Sequence, residues 1–523
     1  LLTPKVLAIG ALLASTAAFP TFAQQVTLKS NNGAFAMAGE LQSFDGETFV
    51  LRTKLGDISV SSAEVTCEGA ECPDMSFYMK EFTVAGSDTI VENLMPSLLD
   101  AFSRASGYRI ISTLATSDGS VIEMLDSAGE PVATITLVSN GSSGGISALT
   151  DGSATLALST RGPTPSESAA IAAAGLGDVT RNEQQLILAL DGLEILVSPE
   201  NPVQFLSVSQ IADIFAGRIS NWSEVGGRNA PITVYRRANS SSSTELLRAE
   251  IMAQKASEIV GSSITVAPGN KMGDFIVSNA NGIGYASLTD ATTAKPISVR
   301  GDCGIISEPN SFNFKTEDYP LTSRLMVFSP DATMPAVAGE LLAFLGSEAA
   351  QAVVADLGFV SSSLESVNVA DQGYRFVNAI QAAVGDDEVT VGDLADMTNQ
   401  LLNAERLTTT FRFDIGTSSL DARAEAEIAR FLDMMGEGAY DGKEVMLVGF
   451  TDSVGQADVN AELAQQRAEQ VLQRIRATAA AGSLDDVVLT AVGMGEISPM
   501  ACNDAPRGRF VNRRIEVWTR DRG

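Results

Sequence analysis

The chain contains no histidine. That absence excludes Ser-His-Asp and Cys-His nucleophilic catalysis and any imidazole-ligated zinc site. A serine hydrolase would then need a Lys or carboxylate base, and no Ser-x-x-Lys constellation stands out, so an enzyme is not expected and no cofactor is implied. Basic runs are also missing: Lys and Arg number 35 against 64 Asp and Glu, a net charge of −29. Nucleic-acid binders present a basic face, so no nucleic-acid partner is expected. The same acidity repels anionic lipid surfaces. Beyond the N-terminal stretch, no apolar run is long enough to cross a bilayer. Cysteine is scarce, with four residues. Cys67 and Cys72 stand close enough in CEGAEC to close a small loop. Cys303 and Cys502 are either a long-range pair or two buried thiols.

What is present begins with an export pattern. Lys5, the apolar run Val6 to Phe19 and the small-residue site Thr21-Phe22-Ala23 read as a signal peptide over 1–23, with Gln24 following it. A length of 523 residues and 45% hydrophobic content allow several ordinary folded domains. Residues 24–76 read as a small β unit, with LQSFDGETFVLRT forming a hairpin about Asp45-Gly46. Residues 77–362 alternate strands (EFTVAG, ATITLVSN) with helices (Asn93 to Ala105), an α/β pattern with mainly parallel sheets. Residues 363–407 are acidic and helix-prone and read as linker helices. From 408 to 523 a second α/β unit follows: strands at FRFDIG, EVMLVGF and NRRIEVWT, helices over Asp421 to Met435 and Asn460 to Thr478.

Three loops of the central region share one physical logic. Gly86-Ser87-Asp88-Thr89, Asn140-Gly141-Ser142-Ser143-Gly144-Gly145 and Arg237-Ala238-Asn239-Ser240-Ser241-Ser242-Ser243-Thr244 each run into a helix. Unpaired N–H groups at a helix start suit an oxyanion, hydroxyls add donors, and an arginine can fork onto it. Such loops are also ordinary N-caps. The segment DGLEILVSPENPVQFLSVSQIADIFAGRISNWSEVGG, with NGIGYASL and FLGSEAAQAVVADLGFV after it, resembles the periplasmic phosphate-binding (PstS-like) family. The resemblance implies a two-lobed, type II periplasmic-binding fold, with 77–180 and 282–362 in one lobe and 181–281 in the other. It also implies an ABC-type permease as a partner. By motif, Thr89 and Ile90 fall at the first helix start, Ser142 and Ser143 in the Gly-Ser loop, and Thr160 beside the anion. Arg237, Ser241, Ser242 and Ser243 match Arg-x-x-x-Ser-Gly-Thr. Ser242 replaces glycine, Ser243 replaces threonine, and Thr160 lacks the carboxylate that some members use to accept a proton. Phosphate, a related oxyanion such as sulfate, or a lost site with a docking role all remain open.

In GFTDSVGQADVNAELAQQRAEQVLQRI, Leu463, Val471, Leu472 and Ile475 are expected as a buried helical stripe. A strand-turn-helix return can bring Asp452 and Arg467 close, while spacing leaves open whether Arg467 faces the core, solvent or the Asp452 loop; by spacing alone they are a structural ion pair or an N-cap. Thr451, Asp452, Gly455, Asn460, Leu463, Arg467 and Ala468 resemble the OmpA-like peptidoglycan-binding signature, with GMGEISP and NRRIEVW as later landmarks. Ala464 stands where many members carry Ser, and that change is expected at the helix surface. The resemblance implies an α/β sandwich binding diaminopimelate of the peptidoglycan stem: Asp452 taking its ammonium, Arg467 its carboxylate, Asn460 bonding nearby. Arg513 is a further candidate, unless NRRIEVW is an edge strand with a solvated basic pair. No barrel pattern accompanies the domain. The implied location is the periplasm, on the wall at the inner face of the outer membrane.

Overall fold

The computed structural model describes residues 25–522 apart from 32, 45, 47, 74–79, 268, 362, 385–387, 414–419, 421 and 481. The expected signal segment and Asp45 lie outside the described residues. Residues 25–73 form a five-stranded antiparallel sheet in the order Gly56–Ser61, Thr48–Thr53, Ala36–Phe44, Gln25–Ser30, Val65–Glu68. Period-two alternation turns Val26, Leu28, Phe49 and Leu51 into one core, and Cys67 and Cys72 are disulfide-bonded. The expected hairpin is the pair Ala36–Phe44 and Thr48–Thr53.

From Lys80 onward the chain is one continuous body. Its first sheet has seven strands: Gln185–Gly192, Thr322–Phe328, Leu156–Ser159, Glu81–Gly86, Pro131–Ser139, Gly119–Leu125 and Arg109–Thr116. Leu98, Leu99 and Phe102 of the helix Met95–Ala105 pack against it. A second sheet runs Phe205–Ser207, Lys295–Arg300, Glu194–Val197, Gly282–Ala286, Thr233–Arg236, Ile264–Thr265. Its core gathers Ile195, Ile211, Phe215, Trp222 and Tyr285. Ser207 and Gln210 form a capping box that starts the helix Val208–Phe215. The two sheets are the two lobes, and their limits correct the expected split. Gly282–Ala286 and Lys295–Arg300 belong to the second lobe, because they flank Glu194–Val197 in the ladder. Gln185–Gly192 stays with the first lobe, paired to Thr322–Phe328. The chain crosses at Leu193, whose N–H bonds the Leu321 carbonyl 2.9 Å away on the returning segment.

The C-terminal sheet orders Ser366–Asn368, Glu405–Arg412, Arg514–Asp521, Lys443–Phe450, Val488–Gly493. Alternation sends Val445, Leu447, Ile515 and Val517 to one face, under the helices Ala422–Gly436 and Ala457–Thr478. Met446, Val448, Phe450 and Trp518 face the other way. There the segment expected as linker helices lies on them, through Ala379, Leu394, Met397 and Leu401 of Arg375–Ala383 and Val391–Leu401. Leu394, Met397 and Leu401 recur at i, i+3 and i+7, the spacing of a helix that buries one side.

This domain meets the lobes across a buried seam of ion pairs. Glu317 pairs with Arg324 at 2.6 Å and Arg423 at 3.0 Å; Asp318 with Arg406 at 2.7 Å and Arg412 at 3.0 Å. Glu516 pairs with Arg514 at 2.7 Å and Arg375 at 2.9 Å, and accepts from the Trp518 indole. Cys303 and Cys502 are disulfide-bonded beside the seam, which decides between the two open readings of those cysteines.

Candidate functional site

The cleft between the lobes brings most of the expected oxyanion residues together. Thr89, Thr160, Ser242 and Ser243 line a small cavity of about 10 Å³, with Asp191 of the crossing strand as a further wall. That volume is about what one water needs. Outside it the cleft widens to about 460 Å³ between Asp88, Thr89, Ser241, Arg237, Lys271 and Asp290.

Ser142, Thr160, Ser242 and Arg237 are already partnered in this cleft. Ser142 Oγ lies 3.1 Å from Thr160 Oγ1 and accepts the Thr160 N–H at 3.0 Å. Ser242 Oγ sits 3.0 Å from Ser87 Oγ of the opposite lobe, and the Ser242 N–H donates to Asp88 Oδ1 at 3.1 Å. Arg237 reaches the outer cleft and not the small cavity. Its guanidinium donates to the Ala267 carbonyl at 2.9 Å, the Asn270 carbonyl at 2.6 Å and Asp290 at 2.5 Å. Ile90 and Ser143 do not line the small cavity either. Ile90 is in the first lobe's core, and its N–H donates to the Ser87 carbonyl at 3.1 Å. Ser143 is exposed and accepts from Arg161 at 2.7 Å. Physically, Ile90 lies within the first helical turn, and the helix starting at Gly141 turns Ser143 outward.

Two carboxylates here were not among the expected site residues. Asp88 belongs to the first of the three loops, where only the backbone N–H groups and hydroxyls are expected to bind. Asp191 sits in an otherwise apolar strand, a buried acid in a run of Leu and Ile. Burial pushes its carboxyl up to about 7, against hydrogen bonds from the N–H groups of Leu288 and Gly192. Glu194 is likewise raised to about 7 by burial, helped by Asp191.

The C-terminal site is built on the end of Lys443–Phe450 and the start of Ala457–Thr478. Gly449 and Gly493 allow the close approach. A Cβ on Gly449 would sit 2.3 Å from the Ala464 carbonyl, and one on Gly493 would sit 2.5 Å from the Gln465 nitrogen. Ala464 is therefore fully buried against the sheet and not on the helix surface. The buried stripe runs Asn460, Ala464, Arg467, Ala468, Val471, Leu472, Ile475, while Leu463 is half-buried. Gly455 adopts φ +117°, which turns the loop between Asp452 and the helix.

Asp452 does not pair with Arg467. Its Oδ1 accepts the Val454 N–H at 3.0 Å and its Oδ2 accepts from Arg513 Nη1 at 3.0 Å. Arg513 precedes the strand Arg514–Asp521, which is central in the sheet; this removes the edge-strand reading. Arg467 is buried with its guanidinium 4.9 Å over the Phe413 ring. Its Nε and the Thr451 hydroxyl have no hydrogen-bond partner among the described residues. Burial lowers the Arg467 pKa, Arg513 adds to this, and Asp452 opposes it. Asn460 donates to Glu496.

Two family models match this chain: a PBP superfamily domain over residues 82–346 and the OmpA family over 412–513. The phosphate-binding protein PstS of Bacillus subtilis is 29% identical over 175 residues, 33% of this chain and 56% of that protein. The outer membrane porin F of Pseudomonas fluorescens is 35% identical over 106 residues, 20% of this chain and 31% of the porin. The peptidoglycan-binding protein ArfA of Mycobacterium tuberculosis is 40% identical over 73 residues, 14% of this chain and 21% of ArfA. The chain thus spans less than two thirds of each of these relatives. A crystal structure of an ABC-type phosphate transport receptor from Vibrio cholerae aligns with 53% of this chain and 99% of its own, at 23% identity and TM-score 0.41. The first model covers half of the chain: the protein belongs to the PBP superfamily, in a two-lobed α/β fold, and carries a C-terminal OmpA-family domain.

Proposed function

We propose that this PBP-superfamily protein is a binding protein of the cell envelope, held non-covalently to peptidoglycan by its OmpA-family domain, with a cleft for phosphate or a related oxyanion. It acts in the periplasm, on the wall at the inner face of the outer membrane. Its work is binding and not catalysis. The observation that carries the wall-binding half is the open valence of Arg467, a buried guanidinium with an unpartnered Nε; the Thr451 hydroxyl, next to Asp452 in the chain, is likewise unpartnered among the described residues. Buried polar groups without partners are uncommon and call for an explanation. Diaminopimelate offers one, because its free end has both an ammonium and a carboxylate. The carboxylate takes Arg467, and the ammonium takes Asp452. Arg513 holds Asp452 in place through an ion pair at 3.0 Å, and Glu496 orients Asn460 toward the same loop.

The oxyanion half rests on the convergence of Thr89, Thr160, Ser242 and Ser243 on one cavity. An ABC-type permease is the partner this would serve. A second reading, a wall-anchored docking protein whose cleft no longer takes a solute, is favoured by the pairing of Thr160 with Ser142 and of Ser242 with Ser87 and Asp88. Retention on purified sacculi tests the first half: wild type should sediment with the wall and the Asp452→Ala/Arg467→Ala double variant should not, and equal retention removes the proposal. Calorimetry with phosphate tests the second: heat at millimolar phosphate supports the receptor, and none favours docking.

A further inference from the structure

We propose that Asp88 is a built-in carboxylate latch, which takes an anion donor of the cleft and holds the two lobes together, so that a solute oxyanion must displace it. This rests on the oxyanion reading of the cleft and names the residue that sets its selectivity.

Asp88 opens the short helix Asp88–Asn93 in the first lobe. An acid in a first turn commonly complements its own helix. Asp88 instead reaches across the cleft, and its Oδ1 accepts the Ser242 N–H of the second lobe at 3.1 Å. Its neighbour Ser87 does the same. As N-cap it makes no side-chain cap bond, and its hydroxyl lies 3.0 Å from the Ser242 hydroxyl, buried. Ser242 stands where the resemblance expects glycine, so the hydroxyl that meets Ser87 is itself a departure. A few residues away the lobes touch again: a Cβ on Gly141 would lie 3.1 Å from the Ser240 carbonyl.

The latch is also a charge. Of the two cations lining the outer cleft with it, Arg237 is engaged by Asp290 at 2.5 Å and Lys271 donates to the Thr289 carbonyl at 3.0 Å. No ion pair of Asp88 is seen among the described residues. An oxyanion arriving at Ser242 and Ser243 would meet a like charge within a few ångströms and a cavity of about 10 Å³. It could enter only as Asp88 swings out and the lobes part. The cleft is thereby biased against weakly held anions, and closure needs no solute.

The test uses the full chain as wild type, Asp88→Ala and Asp88→Asn, with two independent readouts. Small-angle scattering without phosphate reports lobe closure; calorimetry with inorganic phosphate reports the seat. Asp88→Ala should scatter as a more extended particle and bind phosphate about tenfold tighter than wild type or better. Asp88→Asn keeps an oxygen acceptor and loses the charge, so it should stay compact and bind phosphate with intermediate affinity. An Asp88→Ala protein as compact as wild type overturns the latch. So does one that opens yet binds phosphate no tighter than a phosphate-binding wild type. If Asp88→Ala opens and neither protein binds phosphate, the latch stands and the oxyanion reading of the cleft fails.

Discussion

The cleft and the C-terminal site are made from the same parts, an arginine, aspartates and hydroxyls at a strand-to-helix turn, yet their valences are arranged in opposite ways. In the cleft, Arg237 is tied to two carbonyls and Asp290, and Ser142, Thr160 and Ser242 bond one another or Asp88. At the C-terminal site the arginine leans on Phe413 with its Nε open, and the Thr451 hydroxyl, adjacent in the chain to Asp452, is open too. A buried polar group without a partner costs free energy, about 1–3 kcal/mol for a neutral one and more when charged. Arg375, Arg406 and Arg412 of the seam also carry unpartnered buried nitrogens, but each has an ion pair; among the described residues Arg467 has none. The difference teaches that an arginine picked out by a family motif can be left without an ion pair in one domain and be tied into the fold as a strut in the other.

Exchanging the two arginines for alanine separates these roles. Arg467→Ala should cost the largest effect in binding, about 2–5 kcal/mol of sacculus affinity, the range for removing one partner of a desolvated charge pair. Its melting temperature should move little, because the guanidinium makes a ring contact and leaves Nε unbonded. Arg237→Ala should show the reverse. Loss of its carbonyl bonds and of a half-shielded partner in Asp290 should destabilise the second lobe by about 2–3 kcal/mol in chemical denaturation. Any phosphate affinity should change less than it does for Asp88→Ala. If Arg237→Ala melts like wild type and loses phosphate binding outright, the contrast between the sites is wrong. A middle case is Arg513→Ala, which leaves Asp452 its Val454 bond but no cation; wall affinity should fall by about 1 kcal/mol, less than for Arg467→Ala.

Much of this was legible in the residues, and the exceptions have a common cause. Alternation and turn residues located the hairpin at 36–53, the strand Glu81–Gly86 and the strand Lys443–Phe450. Motif spacing placed Thr89, Thr160, Ser242 and Ser243 about one cavity. What could not be read is where a side chain turns once two segments far apart in sequence meet. Asp88 and Ser242 are such a pair, as are Asp452 and Arg513, and Arg467 and Phe413. The seam is the extreme case. Arg406, Arg412 and Arg514 lie on strands whose apolar neighbours announce a core, and nothing local shows that Glu317 and Asp318 wait for them. The helices over 375–401 are expected but their packing is not, for the same reason, since their apolar stripe needs the far face of a sheet not yet formed.

The smallest expected effect is in pH dependence, where the lobe crossing and the seam should move in opposite directions. Asp191 and Glu194 at the crossing are raised to about 7, chiefly by burial. Their folded values exceed the unfolded values of about 4, so the folded chain holds extra protons between the two. Local stability at the crossing is therefore full below about pH 4 and declines as pH rises toward 7. Glu317, Asp318 and Glu516 at the seam are held below their ordinary values by Arg324, Arg406 and Arg375 despite their burial. Their contribution is present above about pH 4 and is lost as pH falls through the depressed values. Hydrogen exchange, corrected for the intrinsic rate, should show amides of Glu194–Val197 less protected at pH 8 than at pH 5.5. Amides of Arg514–Asp521 should hold the same protection over that interval. Asp191→Asn should flatten most of the first profile and leave the second alone. A seam strand that loses protection in step with the crossing would mean that one global opening governs both, and the two regions would then differ in chemistry but not in stability.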